Sequence, residues 1–164
     1  MKKKIMFMLL AFFGAFAIQS CDDNDDPKTV SEAFVEALKQ KYPDAKNVKW
    51  ETKSQYMVAE FDHNFQETDV WFDRDANWCM TQTDYGKNLF FVPGVVGDAF
   101  ANGQYGTWTL DDIDFYERQD IEFYVFEVEK KGETDMDIYY ATDGTLIKAI
   151  PHSEADIYPT TPIR

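Results

Sequence analysis

His63, His152, Cys21, Cys79 and 30 carboxylates are the side chains through which this chain of 164 residues could do chemistry. The two histidines lie far apart, and no His-Glu-x-x-His run joins them, so zinc hydrolysis on that pattern is excluded. No Gly-x-Ser-x-Gly elbow and no glycine loop able to cradle a phosphate occurs. Asp73-Arg74-Asp75-Ala76-Asn77 matches the first half of a calcium loop. Its sixth position, however, is Trp78 where glycine is needed, and its twelfth is Asp84 where glutamate is usual. A hairpin turn accounts for Asp73 and Asp75 more simply. Adjacent carboxylates such as Asp111-Asp112 suit acid–base work, but a chain this acidic produces such pairs by chance. Cys79, in Asn77-Trp78-Cys79-Met80, has no histidine near it in sequence and is expected to be a small buried hydrophobe. The residues therefore argue against an enzyme, and no catalytic residue, metal or cofactor is expected.

Aromatic surface remains. Successive residues of a strand face opposite sides of its sheet. In Val70-Trp71-Phe72 and Ile138-Tyr139-Tyr140 the flanking residues would pack under helices, and Trp71 and Tyr139 would then point the other way. Trp50, Tyr56 and Tyr124 join them or not according to register. Aromatics on such a face are favoured anchors for a protein or a sugar. The competing arrangement covers the face from within and leaves no anchors.

The elements that must position these side chains begin after a leader. Met1-Lys2-Lys3-Lys4 is a basic n-region, and Ile5 to Ile18 is an uncharged apolar run too short to span a bilayer. Ile18-Gln19-Ser20-Cys21 resembles the lipobox of bacterial lipoproteins, with an aliphatic residue at −3 and a small one at −1; Gln19 departs from the usual small residue at −2. That resemblance implies a signal peptide over 1–20, lipidation of Cys21 and anchoring in a membrane. Asp22 to Pro27 then forms an acidic tether over about 21–28. Acidic residues in this place resemble a surface-export signal in the Bacteroidetes and an inner-membrane retention signal in enteric bacteria. The expected address is the cell envelope, with the outer membrane, on its periplasmic or surface face, favoured over the inner one. Net charge is −14, or −17 once Lys2, Lys3 and Lys4 are removed (−14 − 3), which repels phosphate backbones and excludes nucleic acid as a partner.

Within the mature chain, Thr29-Val30-Ser31-Glu32 predicts a capping box. Val30, Ala33, Phe34, Ala37 and Leu38 form one helical stripe, ended by Pro43. From Asn47 the period falls to two, predicting strands at Asn47–Thr52, Gln55–Asp62, Glu67–Asp73 and Asn77–Thr83. Pro93 opens a second, shorter helix with Val96, Ala99 and Phe100 on one side and Gly103 at its end. After a loop over Gln104–Asp111, strands are expected at Asp112–Glu117, Ile121–Lys130, Thr134–Ala141 and Thr145–Ile150. Asp143-Gly144 marks a tight hairpin between the last two. The tail over 151–164 has no periodicity and reads as extended and loosely held.

The two halves match each other. Val48-Lys49-Trp50-Glu51 answers Ile113-Asp114-Phe115-Tyr116, Tyr56–Phe61 answers Phe123–Val128, and Asp69–Phe72 answers Asp137–Tyr140. An α+β fold follows: a tandem repeat of α-β-β-β(β) units over 29–85 and 90–150, each an antiparallel meander with one helix on one face. This layout, with Val92-Pro93-Gly94-Val95-Val96 opening a helix and aspartate-bearing turns ending strands, resembles the PepSY-like secreted proteins. These are similar to the β-lactamase-inhibitor protein fold. The resemblance implies a non-enzymatic, protein-binding and enzyme-inhibitory module with an unknown protein partner. The alternative use of the same aromatics is stacking the sugar rings of a carbohydrate or peptidoglycan.

Overall fold

The computed structural model describes residues 30–156 and 158–159; Cys21, the leader and Thr29 lie outside the described residues. Helix α1 spans Glu32–Lys41. Its N-cap is Ser31, whose side chain makes no capping bond, so Glu32 is the first helical residue and not the third that a capping box requires. The Ser31 carbonyl accepts from Phe34 N, and the Tyr42 N–H closes the last turn on the Leu38 carbonyl at 2.7 Å. Pro43, lacking an N–H, follows at once. Of the expected stripe, Phe34, Ala37 and Leu38 pack inward, whereas Ala33 is exposed and Val30 is partly covered.

Eight strands follow: β1 Lys49–Lys53, β2 Tyr56–His63, β3 Gln66–Phe72, β4 Trp78–Asp84, β5 Thr109–Arg118, β6 Glu122–Glu129, β7 Met136–Ala141 and β8 Leu146–Pro151. Helix α2, Gly94–Ala101, lies between β4 and β5 with Pro93 at its N-cap. A 3-10 turn over Leu89–Phe91 precedes it. The strands form one antiparallel sheet in sequence order, β1 through β8. Every connection but one is a hairpin. The exception, which carries α2, brings β4 beside β5 with Met80 opposite Arg118 and Asp84 opposite Asp114. Strand β5 begins at Thr109, inside the expected loop, because Thr109 and Leu110 pair with Glu129 and Val128.

Turn chemistry fixes the hairpins. Asp73 Oδ1 accepts from the N–H groups of Asp75 and Asn77, both at 2.9 Å, so this aspartate closes the β3–β4 turn. Between β7 and β8, Asp143 Oδ1 accepts from Thr145 N at 2.8 Å, and Gly144 takes φ +85°. A Cβ on Gly144 would meet the Val95 carbonyl of α2 at 2.8 Å, so the same glycine lets hairpin and helix touch.

Both helices cover one face of the sheet. Under α1, Leu38 packs on Ala59, Phe61, Val70 and Phe72; under α2, Val96 and Phe100 pack on Ile113, Phe126, Ile138 and Tyr140. The opposite parity carries a third cluster: Tyr56, Val58, Trp71, Met80, Tyr116, Phe123, Val125 and Tyr139.

Candidate binding face

The aromatic residues expected to form one face divide between two. Trp71, Tyr139 and Tyr56 share the face that the helices leave free. Trp50 packs with Phe34 and Phe72 on the α1 side, and Tyr124 packs with Phe115 on the α2 side. Register decides this, since Trp50 pairs with Ala59, and Tyr124 with both Phe115 and Tyr140. Nor do the rings stand open to solvent. Tyr56 is 3%, Trp71 7%, Tyr124 5% and Tyr139 0% exposed, and Trp50 is half-buried. The expectation of an exposed aromatic platform is corrected accordingly.

Two kinds of cover explain the burial of the free face. Long cations lie over the rings: Lys53 Nζ is 5.3 Å from the Trp71 centroid, and Lys148 Nζ is 4.2 Å from that of Tyr139. Such side chains lay an apolar stem on a ring and keep the charge near water. The second cover is the C-terminal segment, which does not trail away. A 3-10 turn over His152–Glu154 follows β8. His152 N donates to the Asp135 carbonyl at 2.8 Å, the Tyr158 ring meets Trp71 edge-on at 5.8 Å, and Arg118 Nη2 donates to the Tyr158 carbonyl at 3.0 Å. Beneath this cover Tyr116, Phe123 and Tyr139 stack in series, with centroids 5.0 and 5.9 Å apart.

Beside the aromatics the same face turns acidic. Asp69 sits opposite Gln82, Asp84 opposite Asp114, Asp112 opposite Glu127, and Glu127 opposite Asp137. Burial, reinforced by the charge of Asp84, pushes the Asp112 carboxyl up to about 6. Burial raises Asp114 to about 7 against the bond from Gln82 Nε2 at 3.0 Å, and the charges of Asp112 and Asp84 add to the rise. Asp69 is also raised by burial, although Lys53 Nζ lies 2.7 Å from its Oδ2. A cavity of about 240 Å³ opens among these groups, lined by Asp112, Asp114, Val125, Glu127, Asp137, His152 and Ala155.

Sequence reasoning named His152 and Asp112 but did not group them with Asp114, Glu127 and Asp137. A signal was present: in Asp112-Ile113-Asp114-Phe115-Tyr116 both aspartates share the parity of Tyr116, which places three polar or amphipathic residues on the face away from the helix. Cys79, expected to be buried, is only partly so, and burial together with the charge of Asp73 raises its thiol pKa.

A family profile described as "Putative beta-lactamase-inhibitor-like, PepSY-like" matches residues 55–148. Among solved structures, a BLIP-like protein from Bacteroides fragilis is 32% identical with a TM-score of 0.73, covering 82% of this chain and 96% of its own. A DUF2874 family protein from Bacteroides uniformis is 29% identical with a TM-score of 0.72, the alignment covering 78% and 94%. A third, from Bacteroides eggerthii and described among "putative periplasmic proteins", is 27% identical with a TM-score of 0.70, covering 77% and 92%. No match is found among curated proteins.

Proposed function

Because this chain belongs to the β-lactamase-inhibitor-like, PepSY-like family, we propose that it is a non-catalytic protein-binding module of the bacterial envelope. In this reading the sheet face opposite the helices receives the partner, and its acidic half meets a basic surface. The observation that carries it is electrostatic: Asp112 and Asp114 are held at about 6 and about 7, so the face keeps carboxylates where burial and mutual repulsion disfavour them. Groups kept at such a cost are concentrated at functional sites. A positive partner surface would relieve the repulsion and would be drawn in over long range.

The two halves are read as copies of one unit, α1 with β1–β4 and α2 with β5–β8, a reading supported by Trp71 and Tyr139 meeting in one cluster. Lipid attachment at Cys21 is part of the same proposal. It rests on the leader sequence, and a neighbour described as periplasmic agrees with an envelope address. Among the described residues no helix is long and apolar enough to cross a membrane. Stacking of sugar rings finds no support on this face, where Tyr56, Trp71 and Tyr139 are enclosed.

The test is capture of envelope proteins on the immobilised, detergent-solubilised chain at two salt concentrations. A band lost with Glu67→Lys and Asp84→Lys, weakened by salt and retained by Glu36→Lys on exposed α1, supports the reading. Binding indifferent to the face variants and to salt refutes it.

A further inference from the structure

Three side chains at the edge of this face come from separate strands and from the returning tail. Glu127 is on β6, Asp137 on β7, and His152 opens the 3-10 turn after β8. His152 Nδ1 lies 2.8 Å from Asp137 Oδ1 and 3.6 Å from Glu127 Oε1. All three ligand atoms fall within 4.8 Å of one another. We propose that Glu127, Asp137 and His152 form a binding site for a first-row divalent cation such as Zn²⁺ or Mn²⁺, which staples the C-terminal segment to the sheet.

The donor set argues for that class of ion. One imidazole with two carboxylates suits zinc, manganese and ferrous iron, while calcium and magnesium prefer oxygen alone. The site is half built by the fold. The Asp137 side chain is only 5% exposed and anchored, whereas that of His152 is 41% exposed and leaves an entry path. A cation would bind Nδ1 of the neutral imidazole in the tautomer that carries its single hydrogen on Nε2, and would replace the Nδ1–Oδ1 hydrogen bond with a bond from each atom to the metal. Asp112 and Asp114 line the adjoining cavity, and no lysine or arginine is among its walls.

A second observation concerns Tyr139, two residues from Asp137 on the same side of β7. The Tyr139 hydroxyl is fully enclosed and has no hydrogen-bond partner among the described residues. Its electrostatic interactions run to Asp137, Arg118, Asp114 and Asp156, of which Asp137 and Asp114 line the cavity. Buried polar atoms are almost always satisfied in native proteins, by ordered water or an ion where no side chain serves. The other acidic triad, Glu60, Glu67 and Asp69, differs on each count. It has no imidazole, and Lys49 and Lys53 already bond two of its members at 2.7 Å.

The site does not depend on the identity of any protein partner, so its test is separate. The detergent-solubilised full chain is stripped with a chelator and titrated calorimetrically with Zn²⁺, Mn²⁺ and Ca²⁺. The expected result is one stoichiometric site for Zn²⁺ or Mn²⁺, with Ca²⁺ at least 10-fold weaker. His152→Ala and Glu127→Gln should each lower affinity 10-fold or more, with unchanged circular dichroism, and Glu36→Gln on α1 should leave it unaltered. Proteolysis after Arg118 and within the tail should slow when the ion is added to the parent chain but not to His152→Ala. Absence of stoichiometric binding by the parent overturns the proposal. So does binding undiminished in both His152→Ala and Glu127→Gln, which would mark general attraction to an acidic surface.

Discussion

Replacing Asp114 by asparagine should stabilise the protein at pH 8 and leave its stability little changed at pH 4. The carboxyl is moved from 3.8 in the unfolded chain to about 7 in the fold, chiefly by burial. Folding therefore favours its neutral form. That contribution is fully present below pH 3.8 and is lost as pH rises through about 7, because the unfolded chain ionises first. The difference of about three pH decades corresponds to at most about 4 kcal/mol at pH 8 and less than about 1 kcal/mol at pH 4. Asparagine keeps an oxygen to accept from Gln82 Nε2, now bonded at 3.0 Å. Relaxation around the new amide reduces the gain, leaving about 2–3 kcal/mol at pH 8, or a urea midpoint shift on the order of 1–2 M. The assay is urea denaturation of both proteins at pH 4, 6 and 8 with chelator present, so that no cation screens the carboxylates. A variant no more stable than the parent at pH 8, or an equal gain at pH 4 and 8, would refute the reasoning.

Tyr139→Ala should cost about 3–5 kcal/mol, since the ring is wholly enclosed between Phe123 and Lys148. With chelator present, Tyr139→Phe should gain up to about 1 kcal/mol by removing a hydroxyl that has no hydrogen-bond partner among the described residues; parallel chemical denaturation of the two variants separates ring from hydroxyl. Gly144→Val should destabilise by more than about 3 kcal/mol, because φ +85° and the Val95 carbonyl at 2.8 Å both reject a branched side chain. Ala76→Gly, at φ +60°, should instead be neutral or stabilising by up to about 1 kcal/mol, and comparison of melting temperatures checks both turns. Cys21→Ala should move the protein from the membrane to the soluble fraction on cell fractionation. Retention without detergent would contradict lipid attachment.

Local pattern was enough to specify the elements. Alternation and short apolar runs bounded by turn residues located all eight strands to within a few residues, although β6 and β7 are buried on both faces. Asp73 and Asp143-Gly144 announced their turns through side-chain bonds and positive φ, both properties of the residues themselves. Parity also placed Val70, Phe72, Ile138 and Tyr140 together under the helices and put Trp71 and Tyr139 on the other side. What parity cannot state is what lies over a face. Trp71 is buried because Lys53 from β1 and Tyr158 from the tail reach it, contacts that span 18 and 87 positions of chain (71 − 53; 158 − 71) and leave no periodic trace. Likewise Asp137 and His152 are ordinary polar residues in the sequence. Only the pairing of β6, β7 and β8, with the tail folding back after Pro151, brings a carboxylate and an imidazole to 2.8 Å.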